Sequence, residues 1–236
     1  MAFDDELNKM EDRIAVAQDE IVMAVMFHET WKPTAHDEDL HNRMGNSFAT
    51  YSFNIVRASL RREMLLALMR LWDNDSRAIP MTAIAKKLND SEFFDALVTK
   101  RAADSDPAFN GLVEIMRRDM EQQRNDVVTL VQKYAKGGNR SSFFNKLKEQ
   151  RDQFLAHRQV IPTSCTGYDT IDQEIESFYN DNLKLVRLLI SLVLATAFDL
   201  AGAEEQYRQY ANFFWANARG ERTEGHPNYR PPIHGQ

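Results

Sequence analysis

A single cysteine, Cys165, leaves the chain unable to close an internal disulfide. That fits a reducing, cytoplasmic setting. Glycine and proline are also scarce, with nine and seven in 236 residues. Set beside ten methionines and abundant Leu, Ala, Glu, Lys and Arg, this scarcity favours helix over strand. No alternating apolar pattern bounded by turns is present, and there is no internal repeat or low-complexity linker. No glycine-rich phosphate loop precedes a helix, and no Ser or Cys lies in a recognisable nucleophile elbow. Long hydrophobic runs are missing too. The most apolar stretch, Leu183 to Leu200, is interrupted by Lys184, Arg187 and Asp199. Its charge-free part is too short for a bilayer core of roughly 30 Å, so it is expected to be a buried helix and not a membrane span. The opening Met1-Ala2-Phe3-Asp4-Asp5-Glu6 is acidic where a secretory signal would be basic.

Hydrophobic residues make up 43% of the chain and charged residues 27%, which is enough for a substantial core. Leu7, Met10, Ile14, Ala17, Ile21 and Ala24 recur at steps of three and four, predicting a helix from about Asp4 to Thr30 that Trp31-Lys32-Pro33 ends. A second long helix is predicted from about Asp39 to Trp72, stopped by Asp73-Asn74-Asp75-Ser76. Two short helices follow, Pro80 to Leu88 and a Ser91-capped one to Ala103. Asp106-Pro107 opens the next, which Gly137-Gly138 closes. A helix from Ser141 to Arg158 comes next. Thr170-x-x-Gln173 then resembles a capping box for a last helix over about Ile171 to Ala218, with Gly202 a candidate break. The expected fold is all-α: an up-and-down bundle of long antiparallel helices over residues 1–218. A short helical hairpin is inserted at 80–104, and an irregular tail follows at 219–236.

Net charge is −6, which argues against non-specific coating of nucleic acid. The charge is uneven, however. Between Lys133 and Arg158 there are seven basic residues against Glu149 and Asp152, a local +5. Such a patch is either a solvated helix face or an attractor for a phosphate backbone.

On a helical wheel of about 100° per residue, Arg151 falls in the middle of the apolar stripe made by Phe144, Leu147, Phe154 and Leu155. An arginine centred on a burying face must be paired, or must face a cleft or an interface. Asp73 and Asp199 are the candidate partners for a structural ion pair. His157 follows Arg151 by six residues, roughly 9 Å along the axis and 120° around it. The two are therefore not a same-face pair, and joint action requires a cleft at the helix end or a second copy of the helix across a two-fold axis.

The run Arg151-Asp152-x4-His157 resembles the signature of the HEPN superfamily, in which Arg, a polar residue and then His follow one another at short spacing. The segment from Arg61-Arg62-Glu63-Met64 to Arg70-Leu71-Trp72-Asp73 is similar to the Arg…Leu-aromatic-Asp stretch of its abortive-infection branch, and the resemblance covers about residues 1–218. It implies a helical homodimer whose motif helices meet at a two-fold interface, forming a metal-independent endoribonuclease of a toxin–antitoxin or antiphage system. No cofactor or metal is implied, and an antitoxin protein is a possible partner. RNA supplies its own nucleophile, the 2′-OH. By resemblance, His157 moves protons and Arg151 binds the phosphate and its transition state. Asp152 orients either one, and Arg158 and Lys148 hold the RNA backbone. The rival reading keeps the fold as a catalytically silent module that binds a partner protein or nucleotide, with Arg151 only a structural ion pair.

Two other constellations are weaker. His36-Asp37-Glu38-Asp39-x-His41 collects possible metal ligands, but acids at a helix start are already explained by capping and the helix dipole. The pair at Thr82–Leu88 and Ser91–Arg101 is similar in layout to a helix-turn-helix. Its second helix, however, opens on Glu92, Phe93, Phe94 and Asp95, a poor set for reading base edges.

Overall fold

A computed structural model describes residues 2–73, 80–103, 111–152 and 172–233. Among the described residues there are nine α-helices and no strand, so the chain is an all-α helical bundle. The helices are α1 (Ala2–His36), α2 (Glu38–Met44), α3 (Phe48–Arg70), α4 (Met81–Leu88), α5 (Ser91–Ala103), α6 (Leu112–Tyr134), α7 (Ser141–Gln150), α8 (Asp172–Leu189) and α9 (Leu200–Ala216). They form two compact units. One comprises Met1–Ile21 with Leu66–Phe198, and the other Val22–Leu65 with Asp199–Gln236.

In the first unit the α1 stripe is buried as its spacing predicts: Leu7, Met10, Ile14, Ala17 and Ile21 are each at most 3% exposed. Helix α6 packs against α4, α5, α7 and α8. Only its later stripe, from Met120 through Val127 and Val131 to Tyr134, is buried, while Val113 is exposed. Helix α5 is capped one residue earlier than expected. The Asp90 carboxylate, not Ser91, accepts from the backbone N–H groups of Glu92 (3.1 Å) and Phe93 (3.4 Å). The bond to Phe93 leads, with that to Glu92 and the Lys87 charge, in holding the Asp90 carboxyl below its ordinary range. Phe93 and Phe94 are buried, which removes them from any base-reading role. The reversal after α6 depends on Gly138, whose α carbon lies so near the backbone that a Cβ would sit 2.1 Å from the Gln132 carbonyl oxygen. The start at Asp106-Pro107, the box opened by Thr170 and the end of the motif helix at Arg158 lie outside the described residues.

An aromatic nest centres on Trp72. Its ring lies 5.6 Å from Tyr134, 5.2 Å from Phe144 and 6.1 Å from Phe178, centroid to centroid. Its indole N–H donates to Asn182 Oδ1 at 2.8 Å, and the Asn182 amide donates onward to the Phe178 carbonyl at 2.7 Å. Asn182 is fully buried, so this small network satisfies polar groups that the core would otherwise leave unpaired.

The second unit departs from the sequence reading in two places. Helix α1 does not stop at Trp31-Lys32-Pro33 but runs through Pro33 to His36. An interior proline removes one backbone bond at a cost of ~3 kcal/mol. Side-chain donors bond other carbonyls of the neighbouring turns. The Trp215 indole N–H donates to the Thr30 carbonyl (2.9 Å), the Thr34 hydroxyl to the Trp31 carbonyl (2.6 Å) and His41 Nε2–H to the Thr34 carbonyl (2.7 Å). The expected second helix is likewise split between α2 and α3 at Gly45-Asn46-Ser47. Gly45 adopts φ +55°, and a Cβ there would meet His226 Nε2 at 2.4 Å, so only glycine fits.

The last long helix is also divided. After α8 the chain makes a π-helical stretch at Ile190–Leu194, and Ala195 takes a left-handed conformation at φ 60°. The apolar run is therefore not one helix: burial lapses from Ala195 to Asp199 and returns at Leu200. The break falls before Gly202. That glycine lies inside the first turn of α9 and donates its N–H to the capping carboxylate of Asp199 at 2.9 Å. At the other end of α9, Arg43 Nη1 donates to the carbonyls of Trp215, Ala216 and Ala218 at 3.1, 3.1 and 2.7 Å, closing a helix terminus that no glycine closes. A small core of Leu40, Met44, Phe53, Ala211 and Trp215 completes this unit.

Glu29 is buried in the same unit, held between His28 Nδ1 (2.9 Å) and Arg208 Nε (3.0 Å). Burial alone would raise its carboxyl. The bond to His28 and the charges of His28, Arg208 and Lys32 outweigh that and hold it below the ordinary range. The residues of the possible metal cluster have structural tasks. Asp37 caps α2 through the Leu40 N–H (3.1 Å), and Asp39 pairs with Arg43 (3.0 Å). Among the described residues, no helix is long and apolar enough to cross a membrane.

Two stability measurements follow. Asn182→Ala strands the buried Trp72 N–H and is expected to cost about 1–3 kcal/mol in chemical denaturation; an unchanged midpoint would refute the network. For Glu29, a lowered folded pKa means that its contribution is present above its unfolded value of about 4.3 and is lost as pH falls through the folded value. Glu29→Gln is therefore expected to lower the melting temperature near neutrality, with the gap to wild type closing in acid. A gap that widened in acid would reverse the sign.

Candidate active site

The Ser141–Gln150 helix leads into the motif, whose Arg151 and Asp152 are described. Phe143 and Leu147 are buried, and the Phe143 and Phe144 rings lie 6.0 Å from Phe178. These contacts fix α7 on the aromatic nest, and the chain at Arg151 and Asp152 continues in π-helical geometry. The Arg151 backbone N–H still donates into α7, to the carbonyls of Leu147 and Lys148.

The Arg151 side chain is 16% exposed. Its Nε and Nη2 converge on Asp152 Oδ1, at 2.8 and 2.7 Å. Its Nη1 lies 3.7 Å from Asp73 Oδ2, an ion pair too long for a hydrogen bond. Asp73 immediately follows Trp72, so the anchored indole holds the carboxylate near the guanidinium. This resolves the question raised by an arginine centred on an apolar stripe: Phe144 packs on the nest, Leu147 is buried, and the guanidinium is paired by two carboxylates of its own chain. Both are partly open, with Asp73 43% and Asp152 46% exposed. The Nε–Nη2 edge is committed, while Nη1 retains hydrogen-bonding capacity toward a planar anion.

The structure thus brings Arg151, Asp152 and Asp73 together. Lys148 stands exposed on the last turn of α7. His157 and Arg158 lie outside the described residues. The basic window resolves into two classes. Lys133 pairs with Asp181, and Arg140 with Glu174 at 3.1 Å. Lys136, Lys146 and Lys148 are exposed with no ion pair among the described residues. Asp181 also accepts from the Tyr134 hydroxyl at 2.5 Å. Burial first, and then that carboxylate, push the Tyr134 phenol far above its ordinary range, so it stays protonated.

Sequence reasoning missed Asn182 and Asp181. Asn182 was detectable, because Phe178, Asn182 and Val186 recur at steps of four and place one amide within an apolar stripe. Asp181 carries no such signal, since its role comes from α6 lying beside α8.

The sequence model of one family, described as HEPN_AbiU2 (AbiU2), matches residues 3–214. No curated protein and no solved structure matches the chain.

Trp72 and Asp73, adjacent in sequence, are expected to respond to substitution to very different degrees. Trp72→Ala empties the nest and should cost about 3–5 kcal/mol in denaturant melts. Asp73→Asn removes a half-exposed pair and should cost less than about 1 kcal/mol. Equal losses would show that Asp73 serves the core and not the guanidinium.

Proposed function

The chain belongs to the AbiU2 family of the HEPN superfamily, an abortive-infection-associated group, and on that premise we propose that it is a metal-independent endoribonuclease toxin of an antiphage or toxin–antitoxin system. Its site comprises Arg151, Asp152 and His157, completed in a homodimer where two motif helices meet. One observation carries this reading. The two segments that resemble the family, Arg70-Leu71-Trp72-Asp73 and Arg151-Asp152-x4-His157, lie far apart in sequence, yet Asp73 and Arg151 meet at one guanidinium.

The chemistry proceeds on the RNA itself. The 2′-oxygen attacks the adjacent phosphorus as the bond to the 5′-oxygen breaks, leaving a 2′,3′-cyclic phosphate and a 5′-OH. His157 handles the proton that leaves the 2′-OH and the one that the departing oxygen needs, a task suited to a group with a pKa of about 6.5. Arg151 stays charged throughout and stabilises the phosphoryl oxygens. Asp152 and Asp73 set the angle of its fork, and Lys148 and Arg158 hold the flanking backbone. An antitoxin protein would act by covering this site.

A second reading is favoured by the same ion pairs. Two carboxylates of its own chain already neutralise Arg151, as a catalytically silent module that binds a partner protein or nucleotide would have it.

Cleavage of a mixed RNA in excess EDTA separates the two. Wild type is expected to cut, and His157→Ala and Arg151→Ala to lose at least about 100-fold in rate. If no form cuts, the silent module is the better account. If His157→Ala cuts as fast as wild type, the motif assignment is wrong.

A further inference from the structure

The irregular segment that follows α9 forms a second polar feature, away from the motif in sequence. A succession of tight turns folds it: Thr223 N–H donates to the Gly220 carbonyl (2.8 Å), His226 N–H to Thr223 (3.1 Å) and Tyr229 N–H to His226 (2.9 Å). Gly220 N–H also donates to the Arg43 carbonyl at 2.9 Å, and His226 is buried. The segment is therefore built into the second unit. These turns border an open cleft of about 890 Å³, lined by Arg219, Glu221, Arg222, Asn228, Tyr229 and Arg230 together with Pro227 and Pro232. That volume falls within the roughly 300–1,000 Å³ typical of ligand pockets.

The charge in the cleft is unbalanced. Arg219 lies 3.7 Å from Glu221, the one acid in the lining. Arg222 and Arg230 are exposed and have no ion pair among the described residues. In a chain of net charge −6, two uncompensated guanidinium groups in one cleft mark a site for an anion. Tyr229, half-buried beside them, offers a ring face, and Asn228 offers an amide. Guanidinium forks for phosphates combined with an aromatic face for an unstacked base are how single-stranded RNA is held. An acidic protein segment would use the charges but would leave the ring and the amide without a task.

We propose that the cleft of Arg222, Tyr229 and Arg230 binds the backbone and one unstacked base of single-stranded RNA, as a holding site separate from the Arg151 motif. The choice of RNA rests on the ribonuclease reading, and the test separates the failure of each. The probe is a fluorescent oligoribonucleotide with every 2′-OH methylated, which cannot supply the nucleophile. Its binding to the full-length protein is followed by anisotropy over a range of salt concentrations. Wild type is expected to bind the probe. Arg222→Ala/Arg230→Ala is expected to bind about tenfold more weakly, and its dependence on salt should flatten by about 1.4 in log–log slope, the loss of two phosphate contacts to a single strand. Tyr229→Leu should weaken binding at every salt concentration and leave the slope unchanged. Both arginines are exposed, so the double variant is expected to fold, and a melting curve matching that of wild type is the check. If the double variant binds with wild-type affinity and slope, the proposal is overturned. If it loses binding while wild type fails to cut any RNA in EDTA, the holding site stands and the ribonuclease reading falls.

Discussion

The Trp72 indole sets the position of nearly everything that matters in the first unit. It is a large apolar body with a single polar handle, and the structure uses both parts. The ring gathers Tyr134 from α6, Phe144 from α7 and Phe178 from α8. The handle is satisfied by Asn182, one turn beyond Phe178 on the same helix. Because the ring is held by packing and the N–H by geometry, the residue after it has little freedom. That residue is Asp73, and its carboxylate lies near Arg151. Helix α7 leans on the same nest through Phe143 and Phe144, so both halves of the ion pair are referred to one anchor. The guanidinium is placed by aromatic packing two side chains away, and charge attraction only completes its orientation.

The chain's electrostatics follow a similar division. Its basic window looks like a continuous patch when read as a string, but folding divides it. Lys133 and Arg140 are absorbed by acids of α8, whereas lysines a few residues away remain in water. Burial decides which charges count. The carboxyl of Glu29, withdrawn from solvent, must be met by His28 and Arg208, which outweigh its burial and hold it below the ordinary range. Half-exposed acids such as Asp73 and Asp152 keep access to water, which screens them, and can exchange partners at modest cost.

Much of this was legible in the sequence because it follows from periodicity. The stripe from Leu7 to Ile21 needed only helical spacing, and the oddity of Arg151 on an apolar face needed only a wheel. The arginine's ion pair with Asp73 was one of two candidates that the sequence offered. What could not be read depends on groups distant along the chain. Pro33 looks like a terminator, yet α1 runs through it to His36, where the Trp215 indole bonds the nearby Thr30 carbonyl. Gly45 looks like a tolerable glycine inside a helix until His226 occupies the space its side chain would need. Ala195 gives no local warning that it ends a helical run, since alanine is the best of helix formers. At Gly45 the deciding group is a ring from the far end of the chain, which no local preference could reveal.

The meeting of Gly45 and His226 has a consequence of another kind. With an imidazole packed against a bare α carbon, the two positions are not independent variables. A side chain at 45 would be strained by its positive φ and would also displace the ring at 226, and the segment carrying 226 also carries the arginine cleft. The turn between α2 and α3 thus acts as a seat whose shape is copied into the terminal segment. A change that looks like a local adjustment in a helical corner would propagate, through one displaced ring, to guanidinium groups some 180 residues later in the chain.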